Sequence, residues 1–452
     1  MAKDGGVGYR GVRRGNARIG LIFSAVPPET RTWPYVGYDY EARAEKILEH
    51  LRKRLEGIEL VYRLVYSLEE AERAVEEMGD VDGYVVYFIG IWTGTGQAVA
   101  RTGKPIILVD DLYAGTGEFL LTLANMRRTG YPVVGVASSN FEDVVSAIRL
   151  LKVIHEFRNS RILVVADVPE GRRREVRKHV EYLKSRYGVE LVYVSSDQVN
   201  RVYEEVSDED AREVVEKWVE EAEKVVEPSK EELLKSAKIY LALKRLVEEH
   251  DVDAVTVDCL SLVYAGKLPA YPCLAFLQFN NDGLTATCEA DIDSTATMLL
   301  LRYLTGRPSF VSDPVLDQAT QQIVYAHCVA PTRVYGLGKP AAPYIIRSHA
   351  EDRSGASVQA LLPLGEVVTT VKLNLREEAI AVHTAVTTAN VEEEKACRTK
   401  LAARADVDAI LENWNAKVDF GWHRVTVYGD WRRQLISLAR LMKLRVVEED
   451  RL

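Results

Sequence analysis

Residues 284–313, LTATCEADIDSTATMLLLRYLTGRPSFVSD, carry the pattern around which the chain is organised. A short apolar run leads into an acidic cluster that begins at Glu289. The segment 294–303 is apolar nearly all round, which predicts a buried helix, and a glycine and a proline follow it as stop signals. A second apolar run, 309–312, leads to Asp313. The pattern predicts two carboxylates at the ends of two strands joined by one buried helix, a place where rigid scaffolds commonly carry their chemistry.

The composition is that of an ordinary globular protein of 452 residues with a formal net charge of -9. A chain of this length predicts about two to four domains. No apolar run reaches the length of a membrane span, and the acidic balance argues against a nucleic-acid partner. Residues 1–16 contain arginine and glycine but no apolar signal core, so they predict a disordered, mildly basic tail.

The five cysteines are odd in number, and no two of them have C-x-x-C spacing. This usage argues against a zinc finger and a disulfide framework, and it predicts a reducing, cytoplasmic location. Cys288 directly precedes Glu289. We interpret it as a small, buried apolar residue at the end of a strand.

The order of apolar runs and helices predicts an α/β fold with two Rossmann- or flavodoxin-like domains followed by a β-rich domain. Residues 17–158 alternate Val/Ile-rich runs with amphipathic helices, the pattern of a parallel sheet covered on both faces. The alternation resumes in 159–306, which also contains long charged helices. Residues 307–452 contain short, turn-bounded strands, which predict a barrel or sandwich without helices until a last strand–helix–strand unit.

Two stretches of the chain resemble the L-fucose isomerase family of metal-dependent aldose–ketose isomerases. They are CEADIDSTATMLLLRYLTGRP followed by FVSD, and GWHRVTVYGD near the C-terminus. On the family's motifs, the metal ligands fall on Glu289, Asp313 and His423. The flanks Trp422 and Arg424 depart from the family's pattern, so the histidine match is the weaker one. The resemblance also implies two α/β domains before a β-rich one, and a homo-oligomer, trimeric or hexameric, with pockets completed across subunits.

Two carboxylates and one imidazole form an oxygen-rich ligand set without thiolate, which suits Mn²⁺, with Mg²⁺ or Co²⁺ as alternatives. The resemblance implies a cis-enediol route, in which the ion holds O1 and O2 of an aldose. Glu289 and Asp313 would then move a proton between C1 and C2, in an order that the sequence leaves open. The expected partner is a small sugar such as L-fucose or D-arabinose, with no nucleic acid and no membrane.

Four further residues are predicted to contact the sugar. Trp92, in FIGIWTGTG, matches a family tryptophan that stacks on the sugar from a neighbouring subunit, and it equally fits an ordinary strand-end aromatic. Arg31 follows the first strand and could face a cleft. His327 ends a strand and could line a pocket, whereas His349 lies in a polar loop, where it could bind hydroxyls or face solvent.

Two other functions fit parts of the pattern. L-arabinose isomerases share the three-part plan and the metal chemistry, but their site usually has two Glu and two His, so Asp313 favours the fucose type. A non-catalytic sugar sensor built from tandem α/β domains needs neither a metal nor a β-rich C-terminal domain. The acidic cluster and the β-rich region therefore favour an isomerase.

Overall fold

The computed structural model describes residues 15–451, so the predicted tail, 1–16, lies outside the described residues except for its last two positions. Among the described residues, no helix combines the length and the apolar character needed to cross a bilayer.

The chain divides into two compact units. The N-terminal unit holds the described residues up to Glu156 together with Arg433–Arg445. The larger unit holds Phe157–Arg432 and the described residues from Val446 onward. Every element that carries the acidic cluster belongs to the larger unit.

A parallel sheet forms the centre of the N-terminal unit. Its strands are β1 (Ala17–Ser24), β2 (Ile58–Val65), β3 (Gly83–Phe88), β4 (Ile106–Asp110) and β5 (Val133–Ala137). The accompanying helices are α1 (Tyr40–Arg52), α2 (Leu68–Met78), α3 (Thr95–Ala100), α4 (Thr116–Arg128) and α5 (Phe141–Arg158). Within the described chain, the strand order is β2-β1-β3-β4-β5. Strands β3 and β4 are buried along their whole length, as expected of a parallel sheet covered on both faces.

A second parallel sheet opens the larger unit. The next strands in the chain are β6 (Arg161–Val165), β7 (Glu190–Val194), β8 (Lys224–Val225), β9 (Ala254–Val257) and β10 (Thr285–Cys288). The helices are α6 (Arg173–Tyr187), α7 (Ser196–Glu204), α8 (Asp208–Glu221), α9 (Lys230–Glu249), α10 (Cys259–Tyr264), α11 (Cys273–Asn281) and α12 (Ile292–Thr305). The sheet order is β10-β9-β6-β7, and β8 pairs elsewhere.

The C-terminal third is rich in antiparallel strands. They are β11 (Phe310–Asp317), β12 (Gln322–His327), β13 (Tyr344–Arg347), β14 (Ser357–Ala360), β15 (Val367–Asn374), β16 (Ala379–Asn390), β17 (Thr399–Arg404), β18 (Arg424–Tyr428) and β19 (Arg445–Glu448). The helices are α13 (Val407–Asn413) and α14 (Arg432–Leu441). Strands β13 and β14 pair with each other, and β13 also pairs with β8.

The main C-terminal sheet pairs in a closed circuit. Its order is β15-β18-β11-β12-β17-β16-β19, and β15 also pairs with β16. The six strands from β15 to β16 in this order close on themselves, so each pairs with two others of the six. Strand β19 pairs with β16 from outside this circuit. The pairing leaves no free edge between β15 and β16, which removes a template for aggregation. The predicted α/β class with a β-rich C-terminal part is confirmed.

Three local predictions differ from the structure. Helix α12 is longer than the predicted segment 294–303, because Asp291 caps it at the N-terminus and Gly306 ends it in the left-handed region. Asp313 lies inside β11 and not at a strand end, since pairing with β12 continues to Asp317. Helix α13 interrupts a region that was predicted to be without helices before its last unit.

Candidate metal centre

Strand β10 delivers Glu289 into an unusual backbone turn. Glu289 and the next residue, Ala290, both have positive φ, at 61° and 50°. The Ala290 amide donates to the carbonyl oxygen of Val257, on the neighbouring strand β9, at 3.0 Å. Two successive non-glycine residues in the left-handed region cost free energy, and such strain is concentrated at functional sites.

Asp313 and His423 are brought together by strand pairing. Ser312 on β11 lies opposite Arg424 on β18, so the next positions in this antiparallel register are Asp313 and His423. His423 Nε2 lies 3.1 Å from Asp313 Oδ1 and 3.4 Å from Glu289 Oε2. The structure thus brings both predicted carboxylate ligands to His423 Nε2, although the three residues are far apart in sequence. Among the described residues, two clusters have metal-compatible spacing between all of their ligand atoms, and each contains His327: one adds Asp313 and His423, the other Cys288 and Glu289.

The other ring nitrogen of His423 is held by Asp291. The distance from Nδ1 to Asp291 Oδ2 is 2.8 Å, and the Nζ of Lys372 donates to the same oxygen at 2.6 Å. A carboxylate accepts hydrogen bonds only, so this contact assigns a proton to Nδ1. In the neutral imidazole, the lone pair of Nε2 then points at Glu289 and Asp313, which is the arrangement of a metal-ligating histidine with a supporting carboxylate.

The charges of these groups are strongly coupled. Burial disfavours the charged imidazole of His423, but hydrogen bonding to Asp291, Asp313 and Glu289 outweighs burial and raises its pKa to about 11. Burial also opposes ionisation of Asp291, yet Lys372 and His423 hold the pKa of that carboxyl far below its usual range. Asp313 behaves alike, because His423 and His327 overcome its burial and lower its pKa. The carboxylates of Asp291 and Asp313 are therefore ionised at neutral pH, and they face an imidazole that carries a proton or a metal.

The donor set fits a hard divalent cation. Around an octahedral ion with bonds of about 2.1 Å, neighbouring ligand atoms lie about 3.0 Å apart. The contacts of His423 Nε2 to its two carboxylate oxygens, at 3.1 and 3.4 Å, are close to that spacing. Asp313 Oδ1 is buried, and its neighbour at 3.1 Å is His423 Nε2. With a neutral imidazole protonated at Nδ1, this oxygen has no donor from His423, so a cation would satisfy it.

His327 lies beside the cluster but is oriented differently. Its Nδ1 accepts the backbone N–H of Cys328 at 2.9 Å, and its Nε2 is 3.1 Å from Cys288 Sγ and 3.9 Å from Glu289 Oε1. It shares metal-compatible spacing with Asp313 and His423, and also with Cys288 and Glu289. Since Nδ1 uses its lone pair on the amide, a neutral His327 must carry its proton on Nε2. We therefore assign it as a hydrogen-bond donor at the edge of the cluster and not as a ligand.

Cysteines lie beside this cluster. All five are free, and four of them are buried. Cys397 Sγ lies 3.9 Å from Asp313 Oδ2, at hydrogen-bond range for a sulfur donor. The expectation that Cys288 is a buried strand-end residue is confirmed, but its contact with His327 was not foreseen. The spacing of cysteines along the chain carries no signal for this convergence.

The remaining predicted substrate residues lie outside the cluster. Trp92 is 64% exposed and belongs, with the exposed Arg31, to the N-terminal unit. His349, in the larger unit, is buried and stacks on Tyr271 with a centroid distance of 4.2 Å. Asp352 lies 3.7 Å from its Nδ1. The predicted sugar contacts of Trp92, Arg31, His327 and His349 stay predictions.

Two supporting residues escaped the sequence analysis, although each leaves a signal. Lys372 is a lysine within the otherwise apolar and hydroxyl-bearing run VVTTVKLN, and it is 3% exposed. Asp291 has the D-x-x-S spacing of a helix N-cap, and it accepts hydrogen bonds from both the amide and the hydroxyl of Ser294. One carboxylate therefore caps α12, neutralises Lys372 and orients His423.

Comparisons with solved structures and family models add little. An ABC transporter solute-binding protein of Agrobacterium vitis, solved with alpha-D-tagatopyranose, is 13% identical, with 64% of this chain and 90% of that chain covered at a TM-score of 0.17. A LacI-type transcriptional regulator of Bacteroides fragilis is 10% identical, with 64% and 91% covered at a TM-score of 0.18. Similarity at this level carries no argument. No family model matches the chain.

Curated relatives are more informative. The sulfoquinovose isomerases of Priestia aryabhattai and Priestia megaterium are each 28% identical over 318 residues, which covers 66% of this chain and 66% of each relative. The sulfoquinovose isomerase of a Clostridium species is 26% identical over 214 residues, or 46% of each chain. This chain therefore spans slightly less than two thirds of the length of the relatives that it matches.

Proposed function

We propose that the protein is a sugar aldose–ketose isomerase that depends on a divalent cation. The observation that carries this proposal is the convergence of Glu289 and Asp313 on His423 Nε2, at 3.4 and 3.1 Å. The names of the curated relatives support the reaction class, since each is an isomerase of a sugar. The resemblance of the motifs supports the L-fucose isomerase type and a cis-enediol route.

The cation that best suits the site is Mn²⁺, with Mg²⁺ or Co²⁺ as substitutes. Glu289, Asp313 and His423 would hold it. When bound, the ion supplies Lewis acidity and a template for two neighbouring sugar oxygens. Asp291 and Lys372 position His423 from behind, so that the imidazole presents Nε2 to the cluster without a search over ring orientations.

The carboxylates differ in their access to a substrate. The side chain of Glu289 is 31% exposed, whereas that of Asp313 is 15% exposed. We assign Glu289 as the group that takes a proton from the sugar carbon and returns it, because it has the freedom and the access to reach C1 and C2. His327 Nε2–H, 3.9 Å from Glu289 Oε1, is placed to donate to a sugar oxygen or to that carboxylate.

The relatives and the resemblance suggest different sugars. The relatives are named for sulfoquinovose, a sulfonated hexose, whereas the L-fucose isomerase type suggests neutral sugars such as L-fucose or D-arabinose. We include both kinds among the candidate substrates. We also propose a homo-oligomer, trimeric or hexameric, on the resemblance alone, and a cytoplasmic location on the cysteine usage.

Substitution of the two carboxylates tests the proposal. Glu289→Gln and Asp313→Asn keep the shape of each side chain but remove its charge and basicity. We expect each to lower kcat with Mn²⁺ by at least about 100-fold, because general base catalysis and cation binding are both weakened. The measurement is a ketose assay over a panel of neutral and sulfonated aldoses.

A matched control is Glu392→Gln, since Glu392 is an exposed carboxylate in the same unit. It is expected to retain full activity. If Glu289→Gln and Asp313→Asn both keep wild-type turnover, the assignment of the site is wrong. If chelation by EDTA leaves wild-type activity intact, the dependence on a cation is wrong.

A further inference from the structure

Lys400 lies on the same face of the C-terminal sheet as Asp313. In the antiparallel register, Asp313 is opposite Ala326, and Ala326 is opposite Lys400. Directly opposed residues share a face and have Cβ atoms about 5 Å apart. Lys400 is therefore about 10 Å from Asp313 along the sheet, with a single methyl group between them.

Cys397 links the two side chains. Its Sγ lies 3.9 Å from Asp313 Oδ2, and its thiol also interacts electrostatically with Lys400. The side chains between the proposed cation site and the lysine, those of Ala326 and Cys397, are therefore small. A sugar held at O1 and O2 by the cation would direct its far end across these side chains toward Lys400.

Lys400 is buried and has no carboxylate at ion-pair distance among the described residues. It is 7% exposed, and its Nζ donates to the backbone carbonyl oxygen of Glu393 at 2.6 Å. Burial lowers the pKa of Lys400, although the more distant carboxylate of Glu393 opposes that shift. A buried charge without a counter-ion is costly, so it is retained where a ligand supplies the opposite charge.

The neighbouring Arg398 provides a contrast. It is also 7% exposed, but its guanidinium donates to the carbonyl oxygen and the hydroxyl of Ser348, each at 2.9 Å. Carboxylate oxygens of Glu394 and Glu227 lie 3.5 and 3.9 Å from it. Arg398 is thus already neutralised by the protein, whereas Lys400 is not.

We propose that Lys400 is a specificity-determining residue that binds an anionic group at the end of the sugar remote from C1. The substrate class is then an aldose with a terminal tetrahedral oxyanion, a sulfonate or a phosphate. This inference rests on the proposed isomerase function, because the cation site is what orients the sugar toward Lys400. Sulfoquinovose, after which the relatives are named, is the first probe.

The experiment compares kcat/KM for sulfoquinovose, glucose 6-phosphate and D-glucose with Mn²⁺. For the wild-type protein, we expect kcat/KM for one of the two anionic sugars to exceed that for D-glucose. Which of the two has the higher kcat/KM distinguishes a sulfonate from a phosphate substrate. In Lys400→Gln, the ratio of the anionic to the neutral sugar should fall about 10- to 100-fold, the worth of a charge-assisted hydrogen bond. The loss should appear mainly in KM, and Lys400→Arg should restore part of it.

Lys395→Gln is the matched control, because Lys395 is an exposed lysine in the same segment before β17. It should leave the ratio unchanged. If the wild-type enzyme isomerises D-glucose with a kcat/KM equal to or above that of both anionic sugars, the inference is overturned and the proposed function is kept. An anionic preference that survives in Lys400→Gln would overturn the role of Lys400.

A binding measurement separates failure of the inference from failure of the function. If no aldose is isomerised, the proposed function fails, and inorganic sulfate then serves as the probe. Sulfate at constant ionic strength should raise the thermal midpoint of the wild type and of Lys395→Gln, but not that of Lys400→Gln. Equal shifts in all three proteins, or none in any, would overturn the anion site.

Discussion

The two ring nitrogens of His423 have different partners. Nδ1 faces Asp291, and Nε2 faces Glu289 and Asp313. Because a carboxylate fixes the proton on one nitrogen, the other is left available to a cation. At the scale of single residues, the site is therefore defined by its supporting carboxylate as much as by the side chains that face the centre.

Removal of that support tests its role. In Asp291→Asn, the amide can still accept a hydrogen bond, but the charge that faces His423 and Lys372 is gone. We expect the Kd for Mn²⁺, measured by calorimetry, to rise about 10- to 100-fold, the usual cost of losing a partner behind a ligand. Asp293→Asn, in the first turn of the same helix, should change that Kd by no more than about twofold. Equal effects of the two substitutions would contradict the positioning role.

Asp293 makes a separate prediction about pH. Burial, opposed by Lys372, raises its pKa from 3.8 to about 6. The folded state therefore holds a proton that the unfolded state loses between pH 4 and 6, and folding is penalised as pH rises through this window. Above about pH 6 the full penalty applies, whereas below the unfolded pKa it is absent.

Asp293→Asn removes that penalty and keeps an oxygen for the amide of Leu375, which now donates to Asp293 Oδ1 at 3.2 Å. We expect the free energy of unfolding to increase by about 1–3 kcal/mol at pH 7.5 and to change little at pH 4. Denaturant unfolding of both proteins at the two pH values is the measurement. An equal increase in the free energy of unfolding at both pH values would show that ionisation of Asp293 is not the cause.

At the scale of secondary-structure elements, a buried series of hydrogen-bonded polar side chains connects several strands of the closed circuit. The Tyr325 hydroxyl lies 2.9 Å from His383 Nε2, and His383 Nδ1 lies 2.8 Å from Glu449 Oε2. Arg424 donates to Glu449 through Nε and Nη2, the latter at 2.7 Å. Strands β12, β16 and β18 are thus tied to the segment after β19. Although burial opposes its ionisation, His383 and Arg424 lower the pKa of Glu449 to about 2.

Glu449→Gln is expected to be strongly destabilising. It leaves the guanidinium of Arg424, which is fully buried, without a counter-charge, and breaking a buried pair from one side costs about 3–5 kcal/mol. Denaturant unfolding at pH 7 measures the loss. The control is Glu448→Gln, which removes a more exposed ion pair with Arg432 and should cost less than about 1 kcal/mol. If Glu449→Gln leaves the free energy of unfolding unchanged, the ion pair adds nothing to stability.

For the whole molecule, the two compact units divide the predicted substrate residues. The cluster, its supporting residues and Lys400 lie in the larger unit, whereas Trp92 and Arg31 lie in the N-terminal unit. The larger unit joins a parallel sheet, which supplies Glu289, to an antiparallel one, which supplies Asp313 and His423. A site built from two sheets with different pairing requires both to be folded before any cation is held.

Local features of the fold follow from the amino-acid sequence without reference to the rest of the structure. Apolar runs and their period predicted the α/β class and the β-rich C-terminal part, and a run of apolar residues closed by a glycine predicted α12. Glu289, Asp313 and His423 were chosen from motif resemblance. These features are short-range, because period, capping and turn chemistry are properties of neighbouring residues.

Which distant side chains meet depends on the long-range pairing of the strands. Asp313 reaches His423 only because β11 pairs with β18 in one register, and a shift of one strand by one residue would turn one of the two side chains to the opposite face. Long-range pairing also places Lys372 against Asp291 and Cys397 against Asp313. It likewise leaves Lys400 without a carboxylate at ion-pair distance among the described residues. Long-range pairing depends on the sum of many weak contacts over the whole chain, and no local pattern records that sum.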